Sequence, residues 1–130
     1  MTLFHALPGA QEQAVRAVLR EQAARPRFGI RVAGVRSLGR GVAYALESPE
    51  LQQLRRALGR GFELTAQDRQ PFRPHVTVQN KVAPEVARAL LQELQRDCAA
   101  YEVTATGLVL WRYVGPTWDL LLRELFSAPQ

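Results

Sequence analysis

Apolar side chains recur along this chain at two periods, and the switches between them lay out the elements. Thr2 to Leu7 alternate loosely and read as a short strand, which the turn pair Pro8-Gly9 ends. From Gln11 to about Ala24 the spacing becomes helical. Val15, Val18, Leu19 and Gln22 or Ala23 share one face, Glu12, Arg16, Arg20 and Glu21 take the other, and Arg25-Pro26 stops the helix. Phe28 to Val35 returns to an extended pattern, Gly39-Arg40-Gly41 reads as a hairpin loop, and Val42 to Leu46 is the returning strand. Ser48 and Pro49 together mark a helix start, as N-cap and first helical residue, ahead of the Leu51, Leu54, Leu58 stripe that Gly59 and Gly61 close. Glu63 to Gln70 is a polar, irregular connection. Ala83-Pro84-Glu85 opens another helix, with Val86, Leu90, Leu91 and Leu94 as its buried stripe. Tyr101 to Val114 is strand-like with an interruption at Gly107, and Gly115-Pro116 turns the chain into a last strand, Thr117 to Phe126.

Between the second and third helices lies the stretch that carries chemistry, Pro71-Phe72-Arg73-Pro74-His75-Val76-Thr77-Val78. Pro74 keeps Arg73 out of the helical region, and the β-branched Val76, Thr77 and Val78 favour an extended chain. Alternate side chains of a strand share a face, so His75 and Thr77 project together about 7 Å apart, while Val76 and Val78 are expected to point into apolar packing. Imidazole titrates near neutrality and a hydroxyl can donate to an oxyanion, which makes the pair one half of a phosphoryl-transfer site. A single His-x-Thr also arises by chance.

The 130 residues, 47% of them hydrophobic, fit one domain with one core. No apolar run approaches the roughly 20 residues of a membrane helix, and the start Met-Thr-Leu-Phe-His lacks the basic segment of a signal peptide, so the expectation is a cytoplasmic protein. Cys98, the only cysteine, has no partner for a disulfide or a metal site and reads as a structural thiol. The net charge of +5 suits a polyanionic partner, yet it comes almost wholly from arginine, much of it on outer helix faces; Lys81 is the only lysine. Arginine matches phosphate geometry, so the charge is compatible with a phosphate ligand and decides no more than that.

The order of elements repeats. Thr2-Leu3, a turn with proline, a helix, a strand with a central glycine, a glycine turn and a last strand are matched, in the same order, by the elements that begin at Thr77-Val78, which reads as internal duplication. Superposed, Thr2 falls on Thr77, and the counterpart of His75 falls one residue before Met1.

With Pro74-His75-Val76-Thr77-Val78 as an intact second motif and Thr2-Leu3-Phe4-His5-Ala6-Leu7-Pro8-Gly9 as the remainder of a first, the chain resembles the two-histidine phosphoesterase superfamily over nearly its whole length. That group includes bacterial 2'-5' RNA ligases and RNA 2',3'-cyclic phosphodiesterases. The resemblance implies an α+β fold with antiparallel sheets in two pseudo-symmetric lobes, helices outside and a central groove. Within a single domain, residues 1–130, lobe one is about 1–47 with a C-terminal exchange and lobe two about 62–130; the N-terminal strand and helix are expected to be missing. It also implies a metal-free, cofactor-free mechanism in which one His is general base and the other general acid, with two Thr hydroxyls holding the phosphate. Carried onto this chain, His75, Thr77 and Thr2 are the catalytic candidates. With the first motif truncated, this form is expected to be weak or inactive.

Arg73, Lys81, His5 and Phe72 are the substrate-binding candidates around that set. Arg73 and Lys81 flank the motif and would steer a phosphate, with plain surface exposure as the alternative. His5 faces away from Thr2's side on a regular strand and toward it only across a bulge at Phe4. Trp111, Tyr113 and Trp118 suit stacking on a base, with core packing as the alternative for them and for Phe72. The implied partners are RNA ends or cyclic nucleotide phosphates, with no membrane, and a homodimer through the face that a missing N-terminal segment would uncover. The alternatives to the enzyme are a binding module that keeps the groove without chemistry and an oligomerising structural domain.

Overall fold

A computed structural model describes residues 1–97 and 99–127, so the expectation for Cys98 lies outside the described residues. After a 3-10 turn at Gly9–Gln11 come helix α1 (Glu12–Gln22), strands β1 (Phe28–Ser37) and β2 (Val42–Glu47), helix α2 (Pro49–Gly59), strand β3 (His75–Gln79), helix α3 (Pro84–Asp97), and strands β4 (Tyr101–Ala105), β5 (Gly107–Val114) and β6 (Thr117–Leu125). The fold is α+β and its strand pairs are antiparallel. A four-stranded sheet runs in the order β3-β2-β1-β4, and β5 pairs with β6 in a separate two-stranded sheet. Among the described residues no helix is long and apolar enough to cross a membrane.

Local chemistry places most of these elements. Ser48 is extended and its hydroxyl accepts the amide of Leu51 at 3.2 Å, the N-cap bond that a helix start needs, with Pro49 just inside. That hydroxyl also donates to the carbonyl of Gly29 at 3.0 Å, which ties the start of α2 to the start of β1. Gly39 lies at φ +83°, the left-handed region open to glycine, and turns β1 into β2.

Two apolar clusters form the interior. Val15, Leu19 and Ala23 of α1 and its end meet Leu54 and Leu58 of α2, Leu108 of β5, and Phe126. Ile30 and Val32 of β1 meet Leu46 of β2 and Leu51 of α2. Leu3, Phe28 and Ala105 touch both clusters and join them. A fully buried leucine contributes about 1.5–3 kcal/mol, so Leu51, Leu54 and Leu58 anchor α2 far more firmly than helix propensity could.

Three expectations are corrected. Residues 2–7 form no strand, because the groups that bond their backbone are side chains from elsewhere rather than a neighbouring strand. Val76 and Val78 are exposed: β3 is an edge strand, and a register shift near Val78 takes that end out of even alternation. On α3 the fully buried residue is Ala87, while Val86 faces solvent.

Candidate active site

β3 presents His75 and Thr77 through its pairing with β2. Ala45 lies opposite His75 and Ala43 opposite Thr77, so these four residues share one face, and Tyr44 with Val76 take the other. On β1, Arg36 lies opposite Ala43. Arg36, Ala43 and Thr77 therefore make one cross-strand row, in which a methyl-sized residue separates a guanidinium from a hydroxyl. The residues beside His75 and Thr77 are both alanines, and Ala43 is fully buried.

The backbone fixes the imidazole of His75. Its Nδ1 lies 2.9 Å from the carbonyl oxygen of Arg73. A carbonyl can only accept, so Nδ1 is the donor in this contact and Nε2 is the ring nitrogen left for other chemistry. Pro74 contributes twice: it is buried, and its carbonyl accepts the Leu46 amide at 3.0 Å, which docks the start of β3 onto β2.

A second wall comes from residues 1–5 and 67–70, and its centre is Asp68. The Asp68 side chain is fully buried and accepts the amide of His5 at 2.9 Å and that of Ala6 at 3.1 Å. Nδ1 of His5 lies 3.1 Å from the same carboxylate. Burial alone would raise the Asp68 pKa; the amides of His5 and Ala6 and the His5 ring outweigh it and hold the carboxyl below its ordinary value. Asp68 is thus ionised at neutral pH, and Nδ1 of His5 is the donor. Arg55 of α2 completes the wall, donating to the carbonyl of Leu3 at 2.9 Å and to that of Asp68 at 2.7 Å. Its guanidinium packs 4.4 Å from the ring centre of Phe4 and 4.8 Å from that of Phe72.

Between these walls lies a cleft of about 510 Å³ whose lining includes Thr2, His5, Arg36, Phe72, Arg73, His75 and Thr77. Six of the seven residues singled out in the sequence therefore line one cavity. Lys81 does not; it sits past the end of β3, exposed, in a left-handed conformation at φ 58°. Trp111, Tyr113 and Trp118 neither line the cleft nor enter the core. They stand exposed on the β5–β6 hairpin, where Tyr113 and Trp118 lie 5.0 Å apart. Phe72 packs on the second cluster and also lines the cavity.

Sequence reasoning missed Asp68, Arg55 and Arg36. Asp68 sits in a polar stretch with no periodicity, and its partners are 62 and 63 residues away. Arg36 could have been found from hairpin register, once a residue opposite Ala43 is counted back across the Gly39 turn.

A family model described as the 2'-5' RNA ligase superfamily matches residues 1–117 of the chain. Among solved structures, TT0787 of Thermus thermophilus superposes with a TM-score of 0.60 at 16% sequence identity, covering 98% of this chain and 76% of that one, which is a likeness of fold. No curated protein matched.

Proposed function

The chain belongs to the 2'-5' RNA ligase superfamily, and from that premise we propose that its cleft takes a 2',3'-cyclic phosphate at an RNA end or on a nucleotide. The reaction is that of a cytoplasmic cyclic phosphodiesterase or 2'-5' RNA ligase, run by histidine acid–base catalysis. Nε2 of His75 exchanges a proton with the attacking water or the departing ribose oxygen. The hydroxyls of Thr77 and Thr2 donate to the phosphate oxygens as charge builds on them, and Arg73 and Phe72 bind the substrate beside them. The observation that carries the reading is the meeting of a free imidazole nitrogen, two hydroxyls and the guanidiniums of Arg36 and Arg73 at one cavity.

The test is hydrolysis of a 2',3'-cyclic nucleotide by the purified chain, monitored by phosphorus NMR. Turnover to a phosphomonoester that His75→Ala abolishes supports the enzyme. Binding of the nucleotide beside His75 with no turnover by the unmodified protein points instead to a binding module.

One observation favours the oligomer as a second reading. Val109, Trp111, Tyr113, Trp118 and Leu120 are each exposed by 45% or more on one short hairpin, an apolar patch that a second copy of the chain could cover. Sedimentation that stays monomeric at every concentration would end it.

A further inference from the structure

The cleft holds a second imidazole at a position outside the His-x-Thr pattern. We propose that His5, oriented by the buried carboxylate of Asp68, is a proton-transfer residue of this cleft that works across the bound phosphate from His75. The inference deepens the phosphoesterase reading and rests on it.

The geometry of the hold is the first argument. Nδ1 of His5 is committed to a carboxylate that is itself sealed from solvent and fixed by two amides, so the ring has one tautomer and its rotation is restrained. The side chain is nevertheless 52% exposed and lines the cleft, which leaves Nε2 as the ring nitrogen not committed to Asp68. His75 carries the same arrangement, with Nδ1 bonded to a carbonyl and Nε2 free. Two imidazoles of matching polarity thus line one cavity with Thr2, Thr77 and Arg36.

The second argument is that the ring is not needed for anchoring. Residues 3–6 are already pinned by the amides of His5 and Ala6 on Asp68 and by Arg55 on the Leu3 carbonyl. A half-exposed ring adds little to that. What it gains from Asp68 is a fixed direction, which is what proton transfer requires. The charged and titratable groups around it are Asp68, Arg55, Arg36, Arg73 and His75.

In the step, one imidazole takes a proton from water through Nε2 as the water oxygen bonds to phosphorus. The bond from phosphorus to one ribose oxygen breaks, and the other ring, protonated at the outset, gives that oxygen its proton. A phosphomonoester and a free hydroxyl result. The rings have exchanged protonation states and reset through solvent. Asp68 touches no reacting atom and is a positioning residue.

The experiment compares pH–rate profiles on 2',3'-cyclic AMP for the unmodified chain, His5→Gln and Asp68→Asn. His5→Gln keeps both amide bonds to Asp68, so it is expected to melt with the parent while kcat falls about 10²- to 10⁴-fold, KM changes little and one limb of the bell disappears. Asp68→Asn is expected to cost less, and nitrogen NMR of its His5 ring should show the fixed tautomer lost. A His5→Gln protein with parental kcat and an intact bell overturns the proposal. If the unmodified chain turns nothing over, the phosphoesterase reading fails by itself, and the ring spectrum decides this one. Movement of the His5 Nε2 resonance on adding adenosine 2'-phosphate supports the proposal, and an unmoved Nε2 refutes it.

Discussion

His75 and His5 line the same cleft and expose the same nitrogen, yet they are held by opposite means. A strand delivers His75: Pro74 docks it, Ala45 faces it, and a carbonyl two residues back turns its ring. No element delivers His5. It sits in a coil whose amides and ring converge on a carboxylate 63 residues away, backed by an arginine from α2. The lesson is that a site can be written locally on one wall and globally on the other, and that the two walls will fail differently.

The largest effect expected from breaking this contrast is chemical. His75→Ala should lower turnover of a 2',3'-cyclic nucleotide by about 10²- to 10⁴-fold, while chemical denaturation shifts by no more than about 0.5 kcal/mol, because a ring on an edge strand supports little else. Equal losses of stability and rate would erase the distinction between the walls.

The reverse pattern is expected at Asp68. Asp68→Ala removes the buried acceptor shared by two part-buried amides and a half-exposed ring nitrogen, and should cost about 1–3 kcal/mol in a urea titration. A variant as stable as the parent would show that residues 1–6 are held by something else. Arg55→Lys comes next. It keeps the charge but loses the planar fork that spans two carbonyls and packs against two rings, with an expected cost of about 1–2 kcal/mol.

A smaller effect sharpens the contrast through pH. The Asp68 carboxyl lies below its ordinary value of 3.8 in the folded chain, so its stabilisation is complete above that value and drains away as the pH falls through the lower, folded one. Melting temperature should therefore drop on acidification below about pH 4, and Asp68→Asn should flatten that part of the curve. A parental slope in the variant would assign acid sensitivity to other groups.

The same contrast explains what could be read from the sequence. Ser48-Pro49, the Leu51-Leu54-Leu58 stripe and Gly39 act on their own neighbours, so α2 and the first hairpin were legible, as was the His75 strand. Val76 and Val78 misled because alternation says which residues share a face and is silent on what covers it. The exposed Val86 and buried Ala87 misled in the same way, since apolar spacing fixes a stripe only to within a residue. Residues 2–7 have the alternation of a strand but spend their backbone groups on Asp68 and Arg55, and nothing near them in the chain announces those partners. The wall that local pattern described was found; the wall built by long-range bonds had to be seen.

Arg55 touches both walls at once, with Phe4 beside the His5 segment and Phe72 three residues ahead of His75. A flat, permanently charged plate between two rings behaves as a spacer of set thickness. Whatever molecule enters the cleft meets a frame already clamped: the segment that carries His5 and the segment that leads into His75 are gripped by one side chain on a helix, outside the motif itself.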